Sequence, residues 1–128
     1  MQRVIKIKLD DLELTAELNN SKTAALFKKM LPLSFTMNRW GDEYYGDCSI
    51  QAEESSDAKE LMEVGELAIW PPGNAFCIFF GPTPVSEDEK PHAASAVNPI
   101  GKLVDDPLLM KKLGQTVQAH VKIDKDSL

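Results

Sequence analysis

The side chains best suited to forming a binding site in this sequence are aromatic, and they fall in three neighbouring segments. They are Trp40, Tyr44, Tyr45, Trp70, Phe76, Phe79 and Phe80. Ligand sites are typically concave and apolar, with a few polar groups that converge on the ligand. Arg39 precedes the first tryptophan and is the donor in these segments best able to be buried. The pattern favours either an apolar binding patch with Arg39 as its donor or plain packing of the rings in a core.

Familiar catalytic and metal-binding patterns are missing. The sequence has no glycine-rich phosphate loop and no Cys-x-x-Cys pair, and its two histidines are His92 and His120. A zinc site needs two further ligands that converge from elsewhere in the fold. Ser95, close to His92, lacks the sharp turn and the orienting acid of a nucleophilic serine. We therefore expect no catalytic residue, no metal and no cofactor.

Charge is distributed unevenly along the chain. The net charge is −6, yet residues 40–101 contain twelve acidic and two basic residues, a local net charge of −10. Nucleic-acid binding requires a basic stripe, and the pairs Lys28-Lys29 and Lys111-Lys112 are better explained as solvated helix ends. An anionic surface also disfavours binding to an acidic membrane leaflet. The expected partner is an unidentified small molecule or peptide, and neither nucleic acid nor a membrane.

Length and composition favour one globular domain over residues 1–128, because 43% hydrophobic and 27% charged residues are ordinary values. The longest apolar run, residues 75–80, is far shorter than the ~20 residues of a spanning helix. The first eight residues place lysines among apolar positions and lack the apolar stretch of a signal peptide, which predicts a cytoplasmic protein. Cys48 and Cys77 fit that compartment as free thiols, with Cys77 in the core and Cys48 partly exposed.

Alternating apolar and polar residues predict a β-hairpin with strands over residues 4–9 and 12–18, turning at Asp10-Asp11. A polar residue within 19–21 is expected to cap a helix over residues 22–30, which Pro32 ends. Further strands are predicted over residues 34–40, 43–50, 67–70, 76–80, 96–104 and 116–123. The connecting segments are expected to form a helical turn over 58–62, a proline-rich loop over 81–94 and a short helix over 108–113.

These strands follow one another too closely for parallel crossovers. The predicted fold is therefore mainly β: a closed antiparallel barrel of about eight strands with two short helices. We expect Trp70 and Phe79 to pack into this barrel and not to be exposed to water.

Three segments carry recognisable motifs. They read W-G-D-E-Y-Y from Trp40, W-P-P-G-N-A-F-C-I-F-F-G-P-T-P from Trp70 and A-S-A-V-N-P-I-G-K from Ala94. These motifs resemble W-G-[DE]-E-x-Y, W-P-P-G-x-A-[FL]-C-[IL]-F-F-G-x-T-P and A-S-x-V-N-x-I-G-[KR] of the small prokaryotic cyclophilin-like proteins, in the same order. The resemblance implies a closed cyclophilin-type barrel of about eight strands with two helices, and it brings no established activity.

Cyclophilins catalyse prolyl cis/trans isomerisation, so the resemblance makes that activity the alternative function. Arg39 lies where cyclophilins have the arginine of their F-H-R segment. Phe79 and Phe80 match their G-S-Q-F-F segment, but its glutamine and the further tryptophan and histidine of the proline pocket have no counterpart. An ion pair of Arg39 with Asp42 or Glu43 at the barrel rim is the other interpretation of that residue.

We predict a cyclophilin-like domain that binds a ligand or peptide in a groove beside residues 39–45 and 70–80. The alternatives are a weak peptidyl-prolyl isomerase, with Arg39 as the donor to the twisted amide, and an accessory role like that of the cyclophilin-like barrels of amidohydrolase subunits. The candidate groove consists of Arg39, Trp40, Tyr45, Trp70, Phe79, Phe80, Thr83 and Asn98.

Overall fold

Antiparallel strands form most of the architecture in the computed structural model, which describes residues 3–125. The strands are β1 (Val4–Leu9), β2 (Leu12–Leu18), β3 (Leu33–Arg39), β4 (Glu43–Asp47), β5 (Lys59–Leu61), β6 (Glu66–Trp70), β7 (Ala75–Phe79), β8 (His92–Leu103) and β9 (Thr116–Ile123). One α-helix, α1, spans Lys22–Met30, and two short 3₁₀ helices span Pro71–Gly73 and Pro107–Lys112.

Eight of the strands close into a barrel. Their order is β2-β1-β9-β3-β4-β7-β6-β8, and β8 returns to β2 through pairs that run from Ala16 with Leu103 to Leu18 with Gly101. Every pairing is antiparallel. This confirms the fold predicted from the strand spacing. β5 is a ninth strand, and it pairs with β8 outside the closed ring.

The alternation in the first and last strands explains their place in the barrel. Ile5, Ile7 and Leu9 on β1 are fully or almost fully buried, while the lysines between them are more exposed. On β9 the same alternation buries Val117, Ala119 and Val121, and Ile7 pairs with Val121. One face of each strand therefore points into the main core, the buried cluster that fills the barrel and includes Phe76 and Phe80.

Helix α1 begins and ends as the sequence predicts. The Ser21 side chain accepts a hydrogen bond from the Ala24 backbone N–H at 3.1 Å, and Leu31, just before Pro32, caps the C-terminal end. Phe27 carries the helix into the main core, where its ring stacks on Phe76 at 4.9 Å between centroids. Within residues 3–125 no helix combines the length and apolar character needed to cross a membrane.

A second, smaller cluster of buried side chains packs on the outside of the barrel. This outer cluster consists of Met62, Ala68, Cys77, Phe79, Ala93 and Val97, with Trp70 packed against it. The expected burial of Phe79 is confirmed, but the expected position of Trp70 and Phe79 inside the barrel was wrong. Successive side chains of a strand point to opposite faces, so Ile78 and Phe80 occupy the interior while Phe79 is buried outside.

Four further predictions were wrong in detail. Residues 58–62 contain strand β5 instead of a helical turn, because Lys59 pairs with Val97 and Leu61 pairs with His92 on β8. β8 accordingly begins at His92, which shortens the expected loop over 81–94. The expected helix over 108–113 is a 3₁₀ helix that begins at Pro107. Cys48 is buried, with 5% of its surface exposed, instead of partly exposed.

Candidate functional site

A pocket lies on the outer surface of the barrel, over the outer cluster. It has a volume of about 270 Å³ and is lined by Trp40, Glu43, Tyr45, Trp70, Ala93, Ala94 and Val97. We call it the outer pocket. Ligand pockets commonly measure ~300–1,000 Å³ and are mostly apolar with a few polar groups. The outer pocket is slightly smaller than that range, which suits one small ligand or a single side chain.

The turn between β3 and β4 places Trp40 and Glu43 next to each other. Trp40 donates its backbone N–H to the Glu43 carbonyl at 2.8 Å, and Glu43 donates back to the Trp40 carbonyl at 3.2 Å. Gly41 begins the two-residue loop between them with φ of 60°. A Cβ at Gly41 would lie 2.8 Å from the Cδ of Pro84. Glycine is therefore required there for both its backbone conformation and its small size.

Glu43 supplies a buried carboxyl group to the outer pocket. Only 6% of its surface is exposed, and it lies opposite Phe79 in the pairing of β4 with β7. Burial raises the pKa of Glu43 from 4.5 to about 7, and a hydrogen bond from the Cys77 thiol partly opposes that rise. Burial also raises the pKa of Cys77 well above its usual value, so the thiol keeps its proton and remains the donor. A titratable group of this kind in a cleft is a recognised mark of a functional site.

Trp70 and Tyr45 form two further walls of the outer pocket. Trp70 donates its indole N–H to the Ser95 hydroxyl oxygen at 2.7 Å, which fixes the direction of its ring. Gly73 lies against that ring, since a Cβ there would come within 2.6 Å of its Cε3 atom. Tyr45 is paired with Cys77 on β7 and leaves 36% of its surface exposed. The pocket therefore has a fixed indole and one ring that reaches solvent.

Arg39 lies away from the outer pocket, and its guanidinium group is held by the protein itself. It donates to the Gly41 carbonyl at 2.8 Å, to the carbonyls of Lys111 and Leu113 at 3.1 and 3.0 Å, and to the Asp42 carboxylate at 2.7 Å. Its Cζ atom lies 5.0 Å from the centroid of the Phe80 ring. Of the two interpretations of Arg39, the structure shows the ion pair with Asp42 at the barrel rim.

The other four residues of the predicted groove also lie outside the lining of the outer pocket. Phe79 is buried in the outer cluster, and Phe80 is buried in the main core. Thr83 donates its hydroxyl to the His92 carbonyl at 2.5 Å and so links the loop before β8 to that strand. Asn98 is fully buried, donates to Thr23 and to the Glu53 carbonyl, and accepts from the Ser55 N–H. Thr83 and Asn98 thus hold chain segments in place.

The structure therefore brings together three of the predicted groove residues, Trp40, Tyr45 and Trp70, and adds a carboxyl group that the sequence analysis missed. Glu43 and Tyr45 are two residues apart on one strand and share a face, so the alternation of β4 was a usable signal for Glu43. The sequence contained no comparable pattern that would place Ala93, Ala94 and Val97 in the pocket. No group of three or more His, Cys, Asp or Glu side chains within residues 3–125 is arranged to hold a metal ion.

Comparison with known proteins shows the family of this protein. No curated protein gives a significant match to the chain. A hypothetical protein from Archaeoglobus fulgidus, known from its solution structure, is similar: 34% of residues are identical, with a TM-score of 0.80. That similarity covers 96% of this chain and 95% of the other. The Cyclophilin-like family model matches residues 3–122. Because that match spans nearly the whole chain and agrees with the closed barrel, the protein belongs to the cyclophilin-like family.

Proposed function

We propose that this cyclophilin-like domain is a binding module that holds one small ligand, or one side chain of a peptide, in the outer pocket. One observation carries the proposal: a cavity walled by Trp40, Tyr45 and Trp70 also contains the buried carboxyl group of Glu43. Apolar walls supply most of the binding energy of such a site, and a precisely placed polar group orients the ligand. A cytoplasmic location is part of the proposal and is supported by the free thiols of Cys48 and Cys77.

The chain contains two tryptophans, and both line the outer pocket. We therefore expect ligands of this pocket to change the tryptophan fluorescence of the protein and to raise its melting temperature. A ligand at 100 times its dissociation constant stabilises the folded state by about 2.7 kcal/mol. The measurement is a screen of small aromatic, amine and amide fragments and short peptides by both readouts.

A substitution that fills the pocket provides the matched test. Ala94 is exposed and lines the pocket, so Ala94→Leu is expected to weaken every fragment that changes the fluorescence. Ala25→Leu adds the same atoms at an exposed position of α1 and serves as the control. The proposal is wrong if no fragment gives either signal, or if the two variants bind the fragments equally well.

The geometry of Arg39 argues against prolyl isomerase activity. A donor aimed at the developing charge of a transition state is worth roughly 10²–10³ in rate. The Arg39 guanidinium already donates to three carbonyls and to Asp42, and it does not line the outer pocket. Without a catalyst, prolyl isomerisation takes roughly tens to hundreds of seconds at 25 °C. We expect the protein not to accelerate it.

The measurement is a protease-coupled assay with a proline-containing tetrapeptide at micromolar protein. Arg39→Lys and Arg39→Ala variants with an unchanged circular dichroism spectrum are the comparison. Acceleration by the natural protein that both variants lose would contradict the prediction and restore the isomerase alternative.

A further inference from the structure

We propose that the ligand group taken by the outer pocket is an organic cation, an alkylammonium or trimethylammonium group held between the aromatic rings and the Glu43 carboxylate. The inference rests on the proposed binding function and specifies its ligand class.

The lining of the pocket matches the needs of such a cation. The faces of tryptophan and tyrosine rings carry negative charge density and attract cations within about 6 Å of the ring centroid. Trp40, Tyr45 and Trp70 supply three rings, and the remaining apolar lining is small: Ala93, Ala94 and Val97. A volume of about 270 Å³ is suited to a compact group.

Within residues 3–125 no basic side chain forms an ion pair with this carboxyl group. Among the ion pairs of residues 3–125, Arg39 is paired with Asp42, Lys59 with Glu66 and Lys90 with Glu63. Glu43 takes part in none of these pairs, and its partner is the neutral Cys77 thiol. A buried carboxylate without an opposite charge is costly. A cation that enters the pocket with its charge close to Glu43 removes that cost.

The surrounding charge favours the same ligand. Residues 40–101 have a net charge of −10, and a field of that sign raises the local concentration of small cations. The Cys77 thiol of β7 donates a hydrogen bond to the Glu43 carboxyl group, and the pocket lining from β6 and β8 is uncharged: Trp70, Ala93, Ala94 and Val97. Because the thiol stays protonated, the charge of the site is set by Glu43 itself.

Cation binding is therefore coupled to the release of a proton. The pKa of Glu43 is about 7 in the free protein, and a bound cation lowers it by favouring the carboxylate. The affinity for a cation is expected to rise between about pH 6 and pH 8, while the affinity for an uncharged ligand of the same shape stays constant.

The experiment compares choline with its uncharged carbon isostere, 3,3-dimethylbutan-1-ol, by fluorescence titration and calorimetry at pH 6 and pH 8. We expect choline to bind roughly tenfold more tightly at pH 8, given the strength of partly desolvated cation–π contacts and the added charge pair. Glu43→Gln should reduce this preference and remove its pH dependence while the isostere still binds. Glu54→Gln, which removes an exposed charge from the same acidic region, should change neither.

The outcomes separate this inference from the proposed function. If the isostere binds as well as choline at pH 8, the cation is not the ligand and the binding function stands. If neither compound nor any fragment of the screen binds, both proposals fail. Trp40→Leu keeps an apolar wall and removes one ring, so an undiminished preference for choline in that variant would also overturn the inference. Short peptides with lysine or trimethyllysine then show whether a peptide or a free amine supplies the cation: the tighter binder identifies the source.

Discussion

Replacing Phe79 with alanine is expected to lower the free energy of unfolding by about 3–5 kcal/mol, the usual cost of removing a buried phenylalanine. The side chain is completely buried in the outer cluster, opposite Glu43 and beneath the outer pocket. Its loss leaves a cavity between β7 and the strands that cover it. Equilibrium unfolding in urea measures the change.

Leu61→Ala is the matched control, because Leu61 lies on β5 near the same cluster but has 52% of its surface exposed. An exposed substitution of this kind usually changes stability by less than about 0.5 kcal/mol. A loss of under about 1 kcal/mol for Phe79→Ala would show that the outer cluster adds little to the stability of the fold.

The stability of the natural protein is expected to fall as the pH rises from about 4.5 to above 7, through the contribution of Glu43. The folded state raises the pKa of this carboxyl group, so between these two values it binds a proton more tightly than the unfolded chain does. The contribution is complete below pH 4.5 and is lost as the pH passes through 7. A shift of this size corresponds to about 3 kcal/mol.

Glu43→Gln keeps the shape of the protonated side chain and cannot ionise. The unfolding free energy of the variant minus that of the natural protein should therefore increase by about 3 kcal/mol from pH 4 to pH 8. The exposed Glu54→Gln substitution should give a difference that stays constant over the same range. Parallel pH profiles for the natural protein and Glu43→Gln would contradict the assignment of a buried, proton-holding carboxyl group.

Much of the fold was predictable, because one face of most strands is buried in one continuous core. The alternation in residues 4–18 and 116–123 gave both the strands and their inward faces, and the Ser21 cap marked the start of α1. Residues 76–80 were correctly predicted to be buried on both sides. That pattern does not say which ring points inward, and the assignment of Phe79 to the interior failed for this reason.

The site was less predictable, because it depends on contacts between distant segments. β5 has no alternation of its own and exists through its pairing with β8, so local sequence favoured a helical turn over 58–62. Ala93 lies on a strand beside the pocket only because β8 begins at His92, earlier than the strand predicted over residues 96–104. The aromatic rings predicted a groove in the region where the structure has the outer pocket, while Glu43 was considered only as a possible ion-pair partner of Arg39.

β5 has a further consequence for how the protein behaves at high concentration. In residues 3–125 it is the one strand with a single neighbour, since seven of the other strands have two neighbours and β8 has three. Its free side is a potential template for β-sheet addition by another molecule. The template is only three residues long, begins with Lys59 and Glu60, and is interrupted by an irregularity in its pairing with β8. Short, charged and irregular edges are the features by which natural sheets prevent edge-to-edge aggregation.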